Sequence, residues 1–244
     1  MDFSIVLTSY NYEKYIKDSL ESCLKQETSK DFEIIVINDG STDNTSEILK
    51  KYEDDPAVKI LSIQNSGIEK ASNIGFRESR GDYILRLDAD DQLEPSFIED
   101  YSKAINESNE THFFYSDYFV INSQGEITEE VHLPEFSTDE VFNRGDFLAT
   151  GTVFKREVLE NFGGYNESFR NTGLENYEFI LQILKKGLRG QHIKKSLFLY
   201  RRHKENISEK QKEKIISYGK KLFKDKKYGS FNTNKYHPYK LKIN

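Results

Sequence analysis

The first hundred residues repeat one pattern: a short apolar run of strand character, a polar segment, then an amphipathic stretch with helical spacing. The runs fall at residues 4–8, 32–37, 58–63 and 83–87, and the helical stretches at 15–26, 45–52, 70–78 and 95–107. In the first helical stretch Tyr15, Ile16, Ser19, Leu20, Cys23 and Leu24 recur at three- and four-residue intervals and share one face. Ser41, Thr42 and Asp43 supply capping side chains ahead of the second. Strands alternating with helices require right-handed crossovers, so the expected class is α/β, a central and mostly parallel sheet flanked by helices. After His112 the alternation loosens. A strand at 113–118 and a hairpin turn at Ser123-Gln124-Gly125 predict a mixed extension of the sheet in the second half.

Composition narrows the class. A chain of 244 residues accommodates one sizeable α/β domain, and seventeen Phe and fifteen Tyr supply much of its core. Cys23 is the single cysteine, which excludes an intramolecular disulfide and a multi-cysteine zinc site; its helical face predicts an inert core thiol. The opening Asp2-Phe3-Ser4-Ile5-Val6-Leu7 is too short and acidic for a signal peptide, and no apolar run reaches membrane-spanning length. A cytoplasmic protein is the expectation. The net charge of −6 gives no support for nucleic-acid binding. From Glu209 onward, however, eleven Lys face three acids, interleaved with Tyr218, Phe223, Tyr228, Phe231, Tyr236 and Tyr239. The simplest division is a domain over 1–208 and a basic, aromatic-bearing C-terminal helix and tail over 209–244. That tail is suited to peripheral contact with an anionic membrane face, the alternative being a solubilising helix.

In open α/β sheets ligands bind beyond the carboxyl ends of the strands, and the polar segments here lie at those ends. Thr8-Ser9-Tyr10-Asn11 offers backbone groups and an aromatic ring for a base. Asn38-Asp39 closes the run Ile34-Ile35-Val36-Ile37, and Asp39 could accept a hydrogen bond from a uracil imide. Lys70 and Asn73 belong to the third segment. The fourth run ends in Asp88, Asp90 and Asp91, three carboxylates within four positions. Carboxylates this close repel one another unless a cation offsets them, and hard cations prefer such oxygens. With Pro95 read as the first turn of a helix, these acids are expected in a strand-to-helix loop. A solvated capping turn is the bland alternative for this segment alone; four ligand-compatible loops together outweigh it. No Gly-x-Gly-x-x-Gly follows the first strand, so a Rossmann dinucleotide site is excluded.

Thr8-Ser9-Tyr10-Asn11, then Val36 to Thr45, then Gly81 to Asp91 resemble, in order and spacing, the family 2 glycosyltransferases. The likeness continues through Asn161-Phe162-Gly163-Gly164-Tyr165 and Leu199-Tyr200-Arg201-Arg202-His203, covering roughly residues 3–208. The resemblance implies a GT-A fold, a nucleotide-diphospho-sugar donor (a UDP-sugar), a glycan or lipid-linked sugar acceptor, inversion at the anomeric carbon and a divalent metal, Mn²⁺ or Mg²⁺. By the same resemblance Asp39 binds the base, Asp88 the ribose side of the donor, and Asp90 the metal. Arg201 and Arg202 face the diphosphate, His203 completes the metal shell, and Asp91 lies toward the acceptor.

Two departures stand out. Relatives carry Glu-Asp where this chain has Glu175-Asn176, and an amide cannot take a proton from the acceptor hydroxyl. Glu175 is therefore the candidate base, unless it is only a first-turn acid on a helix dipole. Relatives also carry Arg before the Asn of the third segment, where this chain has Ser72 before Asn73; Lys70 is the nearby substitute charge. Asn176 keeps a non-catalytic nucleotide-sugar-binding protein as the rival reading. A sugar-phosphate nucleotidyltransferase is a weaker one, because the segment after the first strand has neither glycine nor a basic residue.

Overall fold

The computed structural model describes residues 1–108, 110–144, 148 and 151–231. In chain order the first half runs β1 (Phe3–Ser9), α1 (Ile16–Leu24), β2 (Phe32–Asn38), α2 (Thr45–Leu49), β3 (Val58–Ser62), α3 (Ile68–Glu78), β4 (Tyr83–Asp88), β5 (Gln92–Leu93) and α4 (Phe97–Asn106). The second half runs β6 (Phe113–Ile121), β7 (Ile127–Val131), α5 (Thr138–Arg144), β8 (Val153–Lys155), α6 (Arg156–Phe162), α7 (Glu175–Leu184), β9 (Gly190–Arg201), α8 (Ile207–Lys210) and α9 (Lys212–Lys226).

The strands lie in the order β3-β2-β1-β4-β8-β6-β9-β5, with β7 as a hairpin arm on β6. The first four are parallel, as the strand–helix alternation predicts. β1 has a partner on each edge and a covered surface on each face, so all seven of its residues are buried and its sequence is a continuous apolar run. Its register sets Thr8 opposite Ile37 on one side and Asp88 on the other, and Ser9 opposite Asn38. The polar ends of three strands therefore meet on one edge of the sheet. α3 lies directly on β1: a Cβ at Gly75 would stand 2.2 Å from Val6 Cγ1, so only glycine permits this approach.

β8 reverses direction against β4, and the sheet continues as the expected mixed extension. The strand read at 113–118 extends to Ile121, and Gly125, at φ 87°, turns the hairpin. One expectation changes. The acids do not pass straight into a helix, because Gln92 and Leu93 form β5 against Leu199 and Phe198 of β9, and α4 begins two residues after Pro95. Burial of Leu93 on β9 favours the extra strand, which ties the acidic turn to the end of β9.

The stretch after Glu209 forms a helix whose apolar side is part of the core. Ile215, Leu222, Phe223 and Phe231 are buried, Phe223 stacks on Tyr177 of α7 at 6.1 Å, and the Tyr218 hydroxyl donates to Glu178 at 2.6 Å. The lysines of α9 lie on its outer face; Tyr236 and Tyr239 fall outside the described residues. Cys23 is fully buried, and burial pushes its thiol up to about 12, in keeping with an inert core position.

Packing of α9 on α7 predicts that this helix cannot be removed without loss of the fold. Phe223→Ala, which empties an aromatic site, is expected to cost about 3–5 kcal/mol in denaturant unfolding. A loss below about 1 kcal/mol would mean that α9 is an appendage.

Candidate active site

A cavity of about 600 Å³ opens at the shared end of β1, β2 and β4. The turn after β1 contributes Thr8 to Tyr15, the next loops contribute Asp39, Asp43 and Asn65, and β4 with its turn contributes Arg86, Asp88 and Asp90. The second half closes it with Asn171, Gly173, Glu175, Tyr200, His203, residues 205–208, Lys210, Gln211 and Ile215. Two predicted residues stand at the mouth. Tyr10 is 45% exposed, and Asn11 takes φ 59° with its side-chain oxygen accepting the Thr42 N–H at 2.7 Å. Short amides tolerate that left-handed backbone because they bond locally. The hydroxyls of Thr8 and Ser9 are buried at the end of β1 with no hydrogen-bond partner among the described residues.

Asp39 is buried, and its carboxylate accepts four hydrogen bonds from the loop after β3. One oxygen takes the Ser66 N–H at 2.6 Å and the Ser66 hydroxyl at 3.0 Å; the other takes the Gly67 N–H at 2.9 Å and the Asn65 amide at 3.2 Å. All four acceptor positions of the carboxylate are thereby used within the chain. In this conformation Asp39 holds the wall of the cavity.

Arg86 is buried, 5% exposed, on the central strand β4. Nη1 donates to Glu175 Oε1 at 2.6 Å, and Nη2 lies 3.0 Å from both oxygens of Asp88. Its guanidinium also stands 5.7 Å from the Tyr165 ring. Although burial disfavours its charge, Asp88, Tyr165 and Glu175 hold the group well above its ordinary pKa. Burial, with help from Asp90 and Glu175, pushes the Asp88 carboxyl up to about 6 against the pull of Arg86. Glu175 lines the cavity at the first position of α7. Its Oε1 is fixed by Arg86, while its Oε2 is buried and without a hydrogen-bond partner among the described residues. The approach to α7 is braced by Glu69, whose two oxygens accept the N–H groups of Asn171 and Thr172 at 2.8 Å each.

Asp90 faces the segment after β9. Its Oδ2 meets His203 Nε2 at 2.9 Å and the Asn206 amide at 3.1 Å, while the His203 ring stacks on Tyr15 at 4.8 Å. Tyr12 is partly buried here, and desolvation together with Asp90, Asp88 and Asp91 drives its phenol far above the usual range, so it stays a hydrogen-bond donor. Among the described residues no group of three or more His, Cys, Asp or Glu side chains is placed to hold an ion. Asp88, Asp90 and His203 nevertheless line the same cavity, and the two carboxylates are donors of the kind a hard cation prefers.

The other predicted residues are elsewhere. Arg201 is fully buried: Nε donates to the Asp90 carbonyl at 2.8 Å, Nη1 to the Asn122 carbonyl at 3.1 Å, and the guanidinium covers the Tyr15 ring. Arg202 pairs with Glu209. Asp91 is fully buried and accepts the Arg201 N–H at 2.8 Å, so it joins the acidic turn to the end of β9 behind the cavity wall. Asn73 exchanges hydrogen bonds with the backbone of Tyr165 at 2.8 Å in both directions, and Lys70 is exposed; neither lines the cavity. Asn176 is buried on the far side of α7. It accepts from the Tyr165 hydroxyl and donates to the Leu148 carbonyl, each at 3.0 Å. Sequence reasoning missed Arg86 and Asn206. Arg86 carried a usable signal, a lone cation inside an otherwise apolar central strand, two residues before the first acid.

The family model described as "Glycosyl transferase family 2" matches residues 4–163. Hyaluronan synthase of Pasteurella multocida is 32% identical over 210 residues, 85% of this chain and 21% of that protein. Chondroitin synthase of Escherichia coli is 32% identical over 209 residues, 85% of this chain and 30% of that protein. The chain thus spans less than a third of the length of these curated relatives. Among solved structures, Staphylococcus aureus TarS 1–349 in complex with UDP-GlcNAc matches with a TM-score of 0.75 at 22% identity, over 91% of this chain and 65% of that one. A mannosyltransferase from Pyrobaculum calidifontis, in complex with GDP-Man and Mn²⁺, matches with a TM-score of 0.70 at 16% identity, over 98% and 67%. These likenesses give the fold, which is GT-A, as the sequence motifs imply.

Proposed function

The chain belongs to glycosyl transferase family 2, and we propose that it is the donor-binding and catalytic unit of an inverting enzyme. In this reading it moves a sugar from a UDP-sugar to the hydroxyl of a glycan or lipid-linked acceptor during polysaccharide synthesis. The relatives named hyaluronan and chondroitin synthase, and the TarS complex with UDP-GlcNAc, support that choice of donor and product. The uracil lies against Tyr10 and Asn11, on the wall that Asp39 holds. The diphosphate lies toward Asp88 and Asp90. The acceptor oxygen attacks the anomeric carbon, the bond from that carbon to the phosphate oxygen breaks, UDP leaves and the acceptor proton passes to Glu175.

One observation carries the assignment of the base: the buried, unpartnered Oε2 of Glu175 in the cavity wall, with Oε1 held 2.6 Å from Arg86. A carboxylate anchored at one oxygen keeps the other in a fixed direction, which proton abstraction requires. Asn176 favours the second reading, a binding protein without turnover, because the residue at the family's usual base position is an amide with both ends engaged. A Mn²⁺ or Mg²⁺ ion held by Asp90, Asp88 and His203 would supply Lewis-acid stabilisation of the departing diphosphate. We place the reaction in the cytoplasm at an anionic membrane face, with the exposed Lys220, Lys224 and Lys227 on or beside α9 toward the lipid.

Turnover is read as UDP release with candidate acceptors. Glu175→Gln is expected to lower it by about two to four orders of magnitude while donor affinity stays nearly constant. Adding Asn176→Asp should not restore it, since position 176 faces away from the cavity. Restoration would move the base to 176, and wild-type chemistry in Glu175→Gln would reduce Glu175 to a helix-end acid.

Calorimetric titration of UDP with and without Mn²⁺ tests the metal. A carboxyl raised to about 6 holds its proton below that pH, so the Mn²⁺ enhancement should weaken as pH falls through about 6. Asp90→Asn should abolish the enhancement at every pH. An unchanged response to Mn²⁺ in that variant refutes the assignment.

For the membrane contact, the wild type should bind vesicles rich in anionic lipid at low salt and leave them at high salt. Lys220→Glu/Lys224→Glu/Lys227→Glu should lose that binding with UDP affinity intact. Equal partitioning of the two proteins would exclude this surface.

A further inference from the structure

The segment after the His203 turn does more than cover the core. Ile207 of α8, Gln211 between the two helices and Ile215 of α9 line the same cavity as Glu175. Their position is fixed against the approach to α7: a Cβ at Gly173 would stand 2.9 Å from Ile215, and Lys214 Nζ donates to the carbonyls of Arg170 and Asn171 at 3.0 and 2.7 Å. The wall so formed sets the aliphatic Ile207 and Ile215 among the polar Ser208, Lys210 and Gln211, and at Gln211 one polar atom is unsatisfied. There the amide Oε1 is buried and has no hydrogen-bond partner among the described residues. A buried acceptor left unsatisfied is unfavourable, and a ligand that donates to it recovers that loss.

We infer that Gln211 is a specificity-determining residue that accepts a hydrogen bond from a hydroxyl of the sugar bound beside Glu175. The inference rests on the glycosyltransferase reading above and adds a subsite that the matched span, residues 4–163, does not include. The chemistry of the wall fits a pyranose. Its C–H face can lie on Ile207 and Ile215 while a ring hydroxyl reaches the amide oxygen. UDP alone lacks that hydroxyl, so the nucleotide end of the cleft is blind to Gln211. A site built to pair a hydroxyl rejects the analogue that lacks it, because its polar group is then left unpaired. The hydroxyl can belong to the donor sugar or to the acceptor, and the two are separable by experiment.

The test compares wild type, Gln211→Leu and Gln211→Glu by calorimetry with UDP and with a panel of UDP-sugars, then by steady-state transfer. Gln211→Leu should bind UDP as wild type does. It should lose about tenfold or more in UDP-sugar affinity if the hydroxyl is the donor's, or in kcat/KM for the acceptor alone if it is the acceptor's. Gln211→Glu keeps an acceptor oxygen and should retain most of the discrimination. Wild-type UDP-sugar affinity and acceptor kinetics in Gln211→Leu overturn the inference, as does an equal loss of UDP binding. Should Gln211→Leu fail to fold, loss of discrimination in Gln211→Glu overturns it instead. If wild type neither binds a UDP-sugar nor releases UDP from one with any acceptor, the glycosyltransferase reading itself fails, an outcome visible before any Gln211 variant is measured.

Discussion

The position of Arg86 between Asp88 and Glu175 is the constraint on which the site depends. It joins the end of a central strand to the start of α7, which lie 89 residues apart in sequence, through contacts of 2.6 and 3.0 Å. Charges buried this deeply repay their desolvation only when geometry is good and partners are complete; removing one partner of such a pair typically costs about 3–5 kcal/mol. Here one cation serves two carboxylates, the buried Glu175 and the half-buried Asp88, so loss of Arg86 would leave two acids facing each other with no cation between them. That coupling fixes the distance between the donor-side carboxylate and the candidate base without recourse to a loop. It also accounts for the buried Glu69, whose carboxylate gathers the backbone N–H groups of Asn171 and Thr172 and so sets where α7 begins.

A second link joins the acidic turn to the segment that follows β9. β5, only two residues long, pairs with β9; Asp91 accepts the Arg201 N–H; and the Arg201 guanidinium returns to the Asp90 carbonyl. Because of these bonds His203 and Asn206 meet Asp90 from a fixed base. Arg201 and Asp91 thus act through position and not by touching a ligand in this conformation, which is why two residues with the right chemistry for a diphosphate or an acceptor are found in the wall behind the cavity.

The division between what was legible in the sequence and what was not follows the range of the forces involved. β1 to β4 and the helices between them announce themselves by local periodicity, and their parallel register follows from the crossovers. The loops beyond those strands were therefore placed correctly at one edge. β9 was not foreseen, because its middle carries exposed Lys194 and Lys195 and its pairing with β6 shifts register around Asp117. α9 reads as a basic tail because lysines outnumber its apolar residues. Yet Ile215, Leu222 and Phe223, at helical spacing, are enough to seat it on α7. Outside the elements read from periodicity, which way a side chain points could not be read. Arg201 and Arg202 are adjacent in sequence, and one is in the core while the other pairs at the surface.

The side chains of Asp39 and Glu175, toward the two ends of the cavity, differ in how they are satisfied, although the Thr8 and Ser9 hydroxyls at the end of β1 also have no partner among the described residues. At the Asp39 end the carboxylate has four internal donors and the Asn11 turn is closed on Thr42, so this wall is built before a ligand arrives and costs little to keep in place on binding. Toward Glu175 and Gln211 the cavity carries buried oxygens without partners. Unsatisfied acceptors are unfavourable for the empty protein, and they gain when a ligand supplies hydroxyl donors in the right places. In the proposed reading, which puts the nucleotide at the Asp39 end and the sugar at the Glu175 end, this is the arrangement expected of a site that holds its donor through the common nucleotide. Discrimination is then left to the groups around the anomeric carbon, where interactions made only in the transition state raise the rate.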